Sequence, residues 1–262
     1  MTRPDPAEVM AVVARRGRVL RAAGPDGVRK RDLVDDLDVS RSTIDRGIRE
    51  LEGIGLIERT DGKYRRTLCG RLALAEYDAF ESRIDGLIEG SSVLSKLPPD
   101  ADFDAAVLDG AEIVRAKRHS PHVPVSRLGD VVSRATHVRA MAPAVMPQQV
   151  ETYRTGIVER GLTAEVVLSD AVVGRLVAAY PDALEEALET GRLSLRRTEE
   201  SIPYSLLVAD TPDGREIGAL VYGDSGVRAF VGNDDPAAVA WAEDCLAERW
   251  ERAEPFPSPL AD

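Results

Sequence analysis

The sequence predicts a multi-domain α/β chain: an N-terminal block of short helices closed by a β-hairpin, then an α/β domain built on a mixed sheet. Three observations carry this. Apolar residues before position 90 recur at helical spacing in short runs cut by turn signals. From residue 130, β-branched runs alternate with helical periodicity. The 262 residues, 44% hydrophobic and 30% charged, suffice for one full core or two small ones.

The first helix is expected from Ala7 to Ala23, with Val9, Val12, Val13 and Leu20 on one side and Gly24-Pro25-Asp26-Gly27 as its stop. Lys30 to Leu37 reads as a second. Asp38-Val39-Ser40 is a three-residue turn, and Ser40 is placed to cap a third helix from Arg41 to about Glu52. Leu56–Arg59 and Tyr64–Leu68 read as strands around Thr60-Asp61-Gly62-Lys63, since Asp-Gly supplies the two positive-φ positions of a type I′ turn. Leu72, Leu74, Tyr77, Phe80, Ile84, Leu87 and Ile88 then mark a long amphipathic helix from Gly70 to about Ile88. Its stripe exceeds what the preceding residues can cover, so it is the expected dimer element; the alternative is packing on its own chain.

The Ser-, Pro- and Asp-rich stretch Gly90–Asp104 is the expected linker. Strands are expected at 136–142, 164–168, 193–196, 205–209, 217–222 and 227–231. Helices are expected at 147–160, 171–179, 181–189 and 235–252. The implied division is residues 1–90, a linker and connecting helix over 91–129, an α/β domain over 130–254, and a tail over 255–262.

No apolar run reaches the roughly 18–20 residues of a bilayer span, and Met1-Thr2-Arg3-Pro4-Asp5-Pro6 lacks the apolar stretch of a signal peptide, so a cytoplasmic protein with no membrane partner is expected. Cys69 and Cys245 are too few for a disulfide framework or a four-thiolate zinc site, and each reads as a small buried hydrophobe. The net charge of −11 is uneven: residues 1–90 carry 17 bases and 17 acids, and the rest carry 17 against 28. Only four bases are lysines. This acidic, Lys-poor composition resembles that of proteins from extreme halophiles; a high-GC codon bias would give the same replacement of Lys by Arg.

Helix, short helix, three-residue turn, third helix and hairpin form the order of a winged helix-turn-helix. At 100° per residue Ile44, Ile48 and Leu51 of the third helix fall within about 60° of arc, while Ser42, Arg46 and Arg49 point within about 40° of the opposite direction. Outward Arg suits guanine O6 and N7 in a major groove. Arg41 and Thr43 at the helix start suit phosphate. Arg59, Lys63, Arg65 and Arg66 surround the hairpin tip. Double-stranded DNA is therefore the expected partner, bound by two subunits of a homodimer. Asp45, at the edge of this face, would accept from a cytosine amino group or orient Arg49.

The stretch from Arg31 to Arg46 resembles the helix-turn-helix of archaeal winged-helix transcription regulators. Pro203-Tyr204-Ser205-Leu206, Ile217-Gly218-Ala219-Leu220-Val221-Tyr222 and Gly232-Asn233-Asp234-Asp235-Pro236 resemble the effector domain of those regulators, named for a methanogenesis regulator and similar to the phospholipase-D-like sensor half of TrmB-type regulators. The resemblance implies a DNA-binding regulator whose second domain senses a ligand or mediates dimerisation. It supports Arg41, Ser42, Thr43 and Arg46 as helix contacts and Lys63 with Arg65 as hairpin contacts.

An enzyme is not expected. Phospholipase-D chemistry needs His-x-Lys, whereas His119, His122 and His137 are followed two residues on by Pro121, Pro124 and Arg139. No Walker loop, Gly-x-Ser-x-Gly or His-Glu-x-x-His occurs. His119 and His122 are spaced for a metal but flanked by prolines, so neither metal nor cofactor is expected. If a small-molecule effector binds, strand C-terminal ends are the default place. That nominates Met141, Ala142, Pro143 and Met146, then Ser169 and Asp170, then Arg197 and Thr198. Alternatively the methionines fill core and Ser169 or Asp170 caps the next helix.

Overall fold

A computed structural model describes residues 4–224 and 226–256. The chain divides into two compact units, one ending at Ser82 and the other beginning at Arg83.

The first unit contains α1 (Pro6–Ala22), α2 (Lys30–Leu37), α3 (Arg41–Gly53), the hairpin β1 (Ile57–Thr60) and β2 (Lys63–Arg66), and the start of α4 (Leu68–Leu94). Asp38 ends α2 in the left-handed region, at φ 52°, a conformation Asp tolerates better than most residues. Two residues later the Ser40 hydroxyl accepts from the Thr43 N–H and caps α3, a contact worth about 1 kcal/mol. Asp61 and Gly62 both have positive φ, at 52° and 74°, as the hairpin turn requires. Val12, Leu20, Leu33, Ile44, Leu51 and Leu56 lie in one core cluster. A feature beyond the sequence reading is the bridge from Val28 to Tyr64, which ties the α1–α2 loop to β2.

The second unit is an eight-stranded mixed sheet. Its strands are β3 (Glu112–Arg115), β4 (His137–Ala142), β5 (Thr163–Ser169), β6 (Leu193–Thr198), β7 (Tyr204–Thr211), β8 (Gly214–Gly223), β9 (Gly226–Asn233) and β10 (Glu254–Pro255). They run in the order β10-β6-β5-β4-β7-β8-β9-β3. β4, β5 and β6 are parallel; β7, β8, β9 and β3 continue antiparallel from β4. One face carries α9 (Pro236–Arg252), with Tyr204, Leu206, Ile217 and Val231 beneath it. The other carries α5 (Val123–Arg134), α6 (Pro147–Glu159), α7 (Asp170–Ala179) and α8 (Pro181–Glu189) over Ala140, Val166, Leu207 and Leu220. No helix among the described residues is long and apolar enough to cross a membrane.

Three features differ from expectation. α4 does not stop near Ile88 but runs to Leu94. Gly90 is an interior helical residue, because a Cβ there would stand 2.8 Å from Leu108 Cδ1, and one on Gly86 would stand 2.3 Å from the Leu108 carbonyl oxygen. These glycines admit a close approach rather than ending a helix. The segment 91–129, expected as a linker and connecting helix, also holds the edge strand β3 and a short 3-10 turn at Ala105–Val107 before the start of α5, whose Val125, Leu128, Val131 and Val132 are buried on the sheet. Glu254, at the end of the expected α/β domain, and Pro255 of the expected tail pair with β6, while residues 257–262 lie outside the described residues.

The quoted sequence stretches of the second unit have structural reasons. Asn233 is 9% exposed, and its side-chain amide donates to the carbonyls of Ala106, Val107 and Asp109 at 3.3, 3.2 and 2.9 Å. Its oxygen accepts from the Asp235 N–H, and Asp235 in turn caps α9 through the Ala237 N–H. The fully buried Tyr204 donates its hydroxyl to the Asp102 carbonyl.

Candidate functional site

α3 presents two chemically opposite sides. Ile44, Ile48 and Leu51 are 0–3% exposed, and Gly47 lies close to Arg16 and Val19 of α1, each 3.4 Å from where its Cβ would be. Arg16 meets Glu50 of α3 with two 3.0 Å hydrogen bonds and fixes the helix pair from the side. This guanidinium holds the Glu50 carboxyl below its ordinary pKa. Ser42, Arg46 and Arg49 are exposed on the other side, and so are Arg41 and Thr43.

Commitments among these residues are unequal. Arg41 and Arg46 enter no ion pair or hydrogen bond among the described residues, so both guanidinium groups are available. Arg49 donates at 3.3 Å to the Asp45 backbone carbonyl, not to the Asp45 carboxylate. That carboxylate is instead paired with Lys30 at the start of α2. The carboxylate thus pairs between helices here and does not orient Arg49. The hydroxyls of Ser42 and Thr43 meet the Ser40 hydroxyl at 2.9 and 2.8 Å and belong to the cap.

The hairpin is equally uneven. Arg59 lies 5.8 Å from the centre of the Tyr64 ring and is otherwise exposed. Lys63 reaches the Asp26 carbonyl at 3.4 Å. Arg65 is held at 2.7 Å by Glu58, its cross-strand partner in register. Arg66 is turned back, donating to the carbonyls of Ala23 and Arg21 at 3.3 and 3.4 Å, where it satisfies the C-terminal end of α1. Of the four cations expected at the tip, Arg59 and Lys63 are the least committed, and Arg66 has a structural task.

Of the residues nominated for a ligand, Met141 and Ala142 line a cavity of about 110 Å³ on the sheet face under α6, α7 and α8; Pro143, Met146, Ser169, Asp170, Arg197 and Thr198 do not line it. Met146 caps α6, its N–H donating to the Gln149 side chain; Arg197 pairs with Glu254, and the Thr198 hydroxyl accepts from the Glu200 N–H. His119 and His122 are exposed, and no group of three or more potential metal ligands occurs among the described residues. Cys69 is exposed, against expectation, because it sits on the first turn of α4 outside the core; Cys245 is buried, which raises its thiol pKa to about 11.

Residues 121–252 match the family described as Methanogenesis regulatory protein FilR1, middle domain. That span is half of the chain. The chain belongs to this family. The FilR1 middle domain thus covers α5 through α9 and strands β4 to β9 of the sheet. Residues 4–86 match a second family, described as the HVO_A0261 N-terminal domain. No curated protein matches the chain. Among solved structures, the chain is similar to TrmBL2, described as an archaeal chromatin protein with a novel mode of DNA binding, at 17% identity and a TM-score of 0.42 over 96% of this chain and all of the other. It is also similar to Nuc of Salmonella typhimurium, a phospholipase D family member, at 16% identity and a TM-score of 0.42 over 56% of this chain and 97% of the other. NucT of Helicobacter pylori follows at 11% identity and a TM-score of 0.39, with 56% and 98% covered.

Proposed function

We propose that the protein is a sequence-specific, double-stranded-DNA-binding transcription regulator, not an enzyme, in which α1–α3 and the β1–β2 hairpin act as a winged helix-turn-helix. The observation that carries this is α3: one side is sealed into a core, and the other holds Arg41 and Arg46 outside any ion pair among the described residues, with Arg46 acting on Glu50 only through space. Arg46 and Arg49 would read base edges in the major groove, Arg41 would meet phosphate at the helix start, and Arg59 with Lys63 would follow the backbone beside it. Membership of a family named for a regulatory protein supports the same reading.

The protein acts as a homodimer in this reading, so that two α3 helices meet two half-sites. Its contact is the part of the α4 stripe left over after folding. Leu74 is buried and Tyr77 and Leu87 are half-buried, whereas Phe80, Ile84 and Ile88 are 50%, 37% and 67% exposed and fall within about 80° of arc. Light scattering should find a dimer in the wild type and a monomer in Phe80→Glu. The FilR1 middle domain would sense a small molecule and favour one arrangement of the dimer by binding it more tightly.

The deciding experiment is a gel shift with operator DNA obtained by genome-wide mapping of bound sites. Arg46→Ala should weaken binding by roughly 10- to 100-fold, the cost of one bidentate base contact. Arg49→Ala should follow, and equal binding by all three proteins would remove the α3 face from consideration. A protein-interaction module is the rival; it predicts no operator selectivity. In a halophile cytosol, binding should also show a shallow log–log salt slope, because counterion release contributes little there.

A further inference from the structure

The cavity beneath α6, α7 and α8 has the composition of a binding site for one class of molecule. Its floor is Ala140, Val166, Leu168 and Leu207 of the sheet, and its roof includes Ile157, Leu176, Ala183 and Ala187. No ionised side chain except Arg154 borders it, and Arg154 is held outward by Glu151 at 2.7 Å and Glu186 at 3.1 Å. Three side-chain hydroxyl groups do border it, those of Ser205, Tyr153 and Tyr180. Ser205, 4% exposed, forms a 2.6 Å hydrogen bond with the Tyr222 hydroxyl. Two hydroxyls that share one hydrogen bond still hold one unspent proton and spare lone pairs. Tyr153 of α6 also lines the cavity, and its hydroxyl enters no hydrogen bond among the described residues. Burial raises the phenol pKa of Tyr153 and Tyr222 above the ordinary range, so both remain neutral at any physiological pH.

From this enclosure we infer that the domain binds a small uncharged ring compound, aromatic or alicyclic, carrying one hydroxyl or carbonyl that meets Ser205 or Tyr153. The volume sets the size: an apolar cavity of about 150 Å³ accommodates benzene, so about 110 Å³ takes a single ring, with modest opening of α7 and α8 for a substituent. The apolar walls set the charge, because an ion in this site would lose its hydration without a counter-charge. The inference deepens the sensing half of the proposed function by giving the effector a chemical class and a site that takes in the end of β4 but none of the other nominated residues.

The test uses the full chain without DNA and p-cresol as probe, with toluene as the same ring lacking the hydroxyl. Calorimetry should give a dissociation constant of about 0.1–1 mM for p-cresol, in line with an efficient ligand of that size. Toluene should bind roughly tenfold more weakly, and Ser205→Ala combined with Tyr153→Phe should erase the difference. Ala183→Phe, or Ala187→Phe one turn on, should abolish binding of both. In the wild type, methyl NMR should show the Leu168 and Leu207 signals moving on addition of p-cresol while that of Met10 stays in place. Still Leu168 and Leu207 signals, or undiminished binding by a folded Ala183→Phe protein, overturn the site. Equal affinity for both probes overturns the polar contact. Adding p-cresol to the gel shift then asks separately whether this site is coupled to DNA, so failure of the DNA reading would leave the binding result standing.

Discussion

Paired arginines of the sheet domain contrast with two on α3. On the sheet domain Arg127 is held by Glu112, Arg134 by Asp213 and Glu216, Arg139 by Glu165, Arg215 by Asp210 and Glu243, and Arg249 by Glu200. On α3, Arg41 and Arg46 have no such partner, although the surrounding unit has as many acids as bases within residues 1–90. What separates these side chains is the fate of each guanidinium, since the first unit too pairs Arg16 with Glu50 and Arg65 with Glu58. A charge count would rank the first unit as neutral; the pairing pattern marks one helix face as a place where counter-charge has been left for something else to supply.

That contrast can be broken directly. Arg139→Ala on the sheet should leave operator affinity within about twofold of wild type, against the 10- to 100-fold expected for Arg46→Ala. Equal losses in anisotropy titrations would mean that pairing does not distinguish the two. A second contrast is between polar groups that hold the fold and those that do not. Asn233→Ala removes the amide's contacts to three carbonyls and the acceptor of the Asp235 N–H and should cost about 2–4 kcal/mol in chemical denaturation, whereas Thr163→Val at the exposed 2.8 Å contact with His137 should cost under about 0.5 kcal/mol. Asp45→Asn sharpens the α3 side: it frees Lys30 and removes a negative charge from the reading face, so DNA affinity should rise about threefold, and a fall would mean that Asp45 itself contacts bases.

The smallest effect concerns pH. Glu50 has its pKa lowered by Arg16, so the folded state binds its proton less readily than the unfolded chain does. The stabilisation is present above the ordinary carboxylate range and disappears as pH falls through the lowered value. Thermal melts between pH 7 and pH 3 should show a shallower loss in Glu50→Gln than in the wild type.

Much of α3 was legible because its information is local. Ile44, Ile48 and Leu51 announce their face by spacing alone, and Ser40, Asp61 and Gly62 carry backbone preferences that need no distant partner. Commitments set by the rest of the chain were not legible. Lys30 stands 15 positions before Asp45, and only the α2–α3 turn brings them together. Arg66 reads as one more cation at a hairpin tip until the end of α1 places two carbonyls in front of it. β3 and β10 are edge strands of four and two residues whose identity comes from β9 and β6. The cavity left no trace, since its walls read as ordinary core residues and its shape depends on how α6, α7 and α8 span the sheet.

Gly86 and Gly90 show how an absent side chain can be as demanding as a present one. With Leu108 backbone atoms 2.3 and 2.7 Å from a virtual Cβ on Gly86, even alanine has nowhere to go. In a saturation library these two positions should therefore tolerate as little as the buried leucines, although neither offers an atom beyond the main chain. The contact is a shape that selection can preserve only by adding nothing.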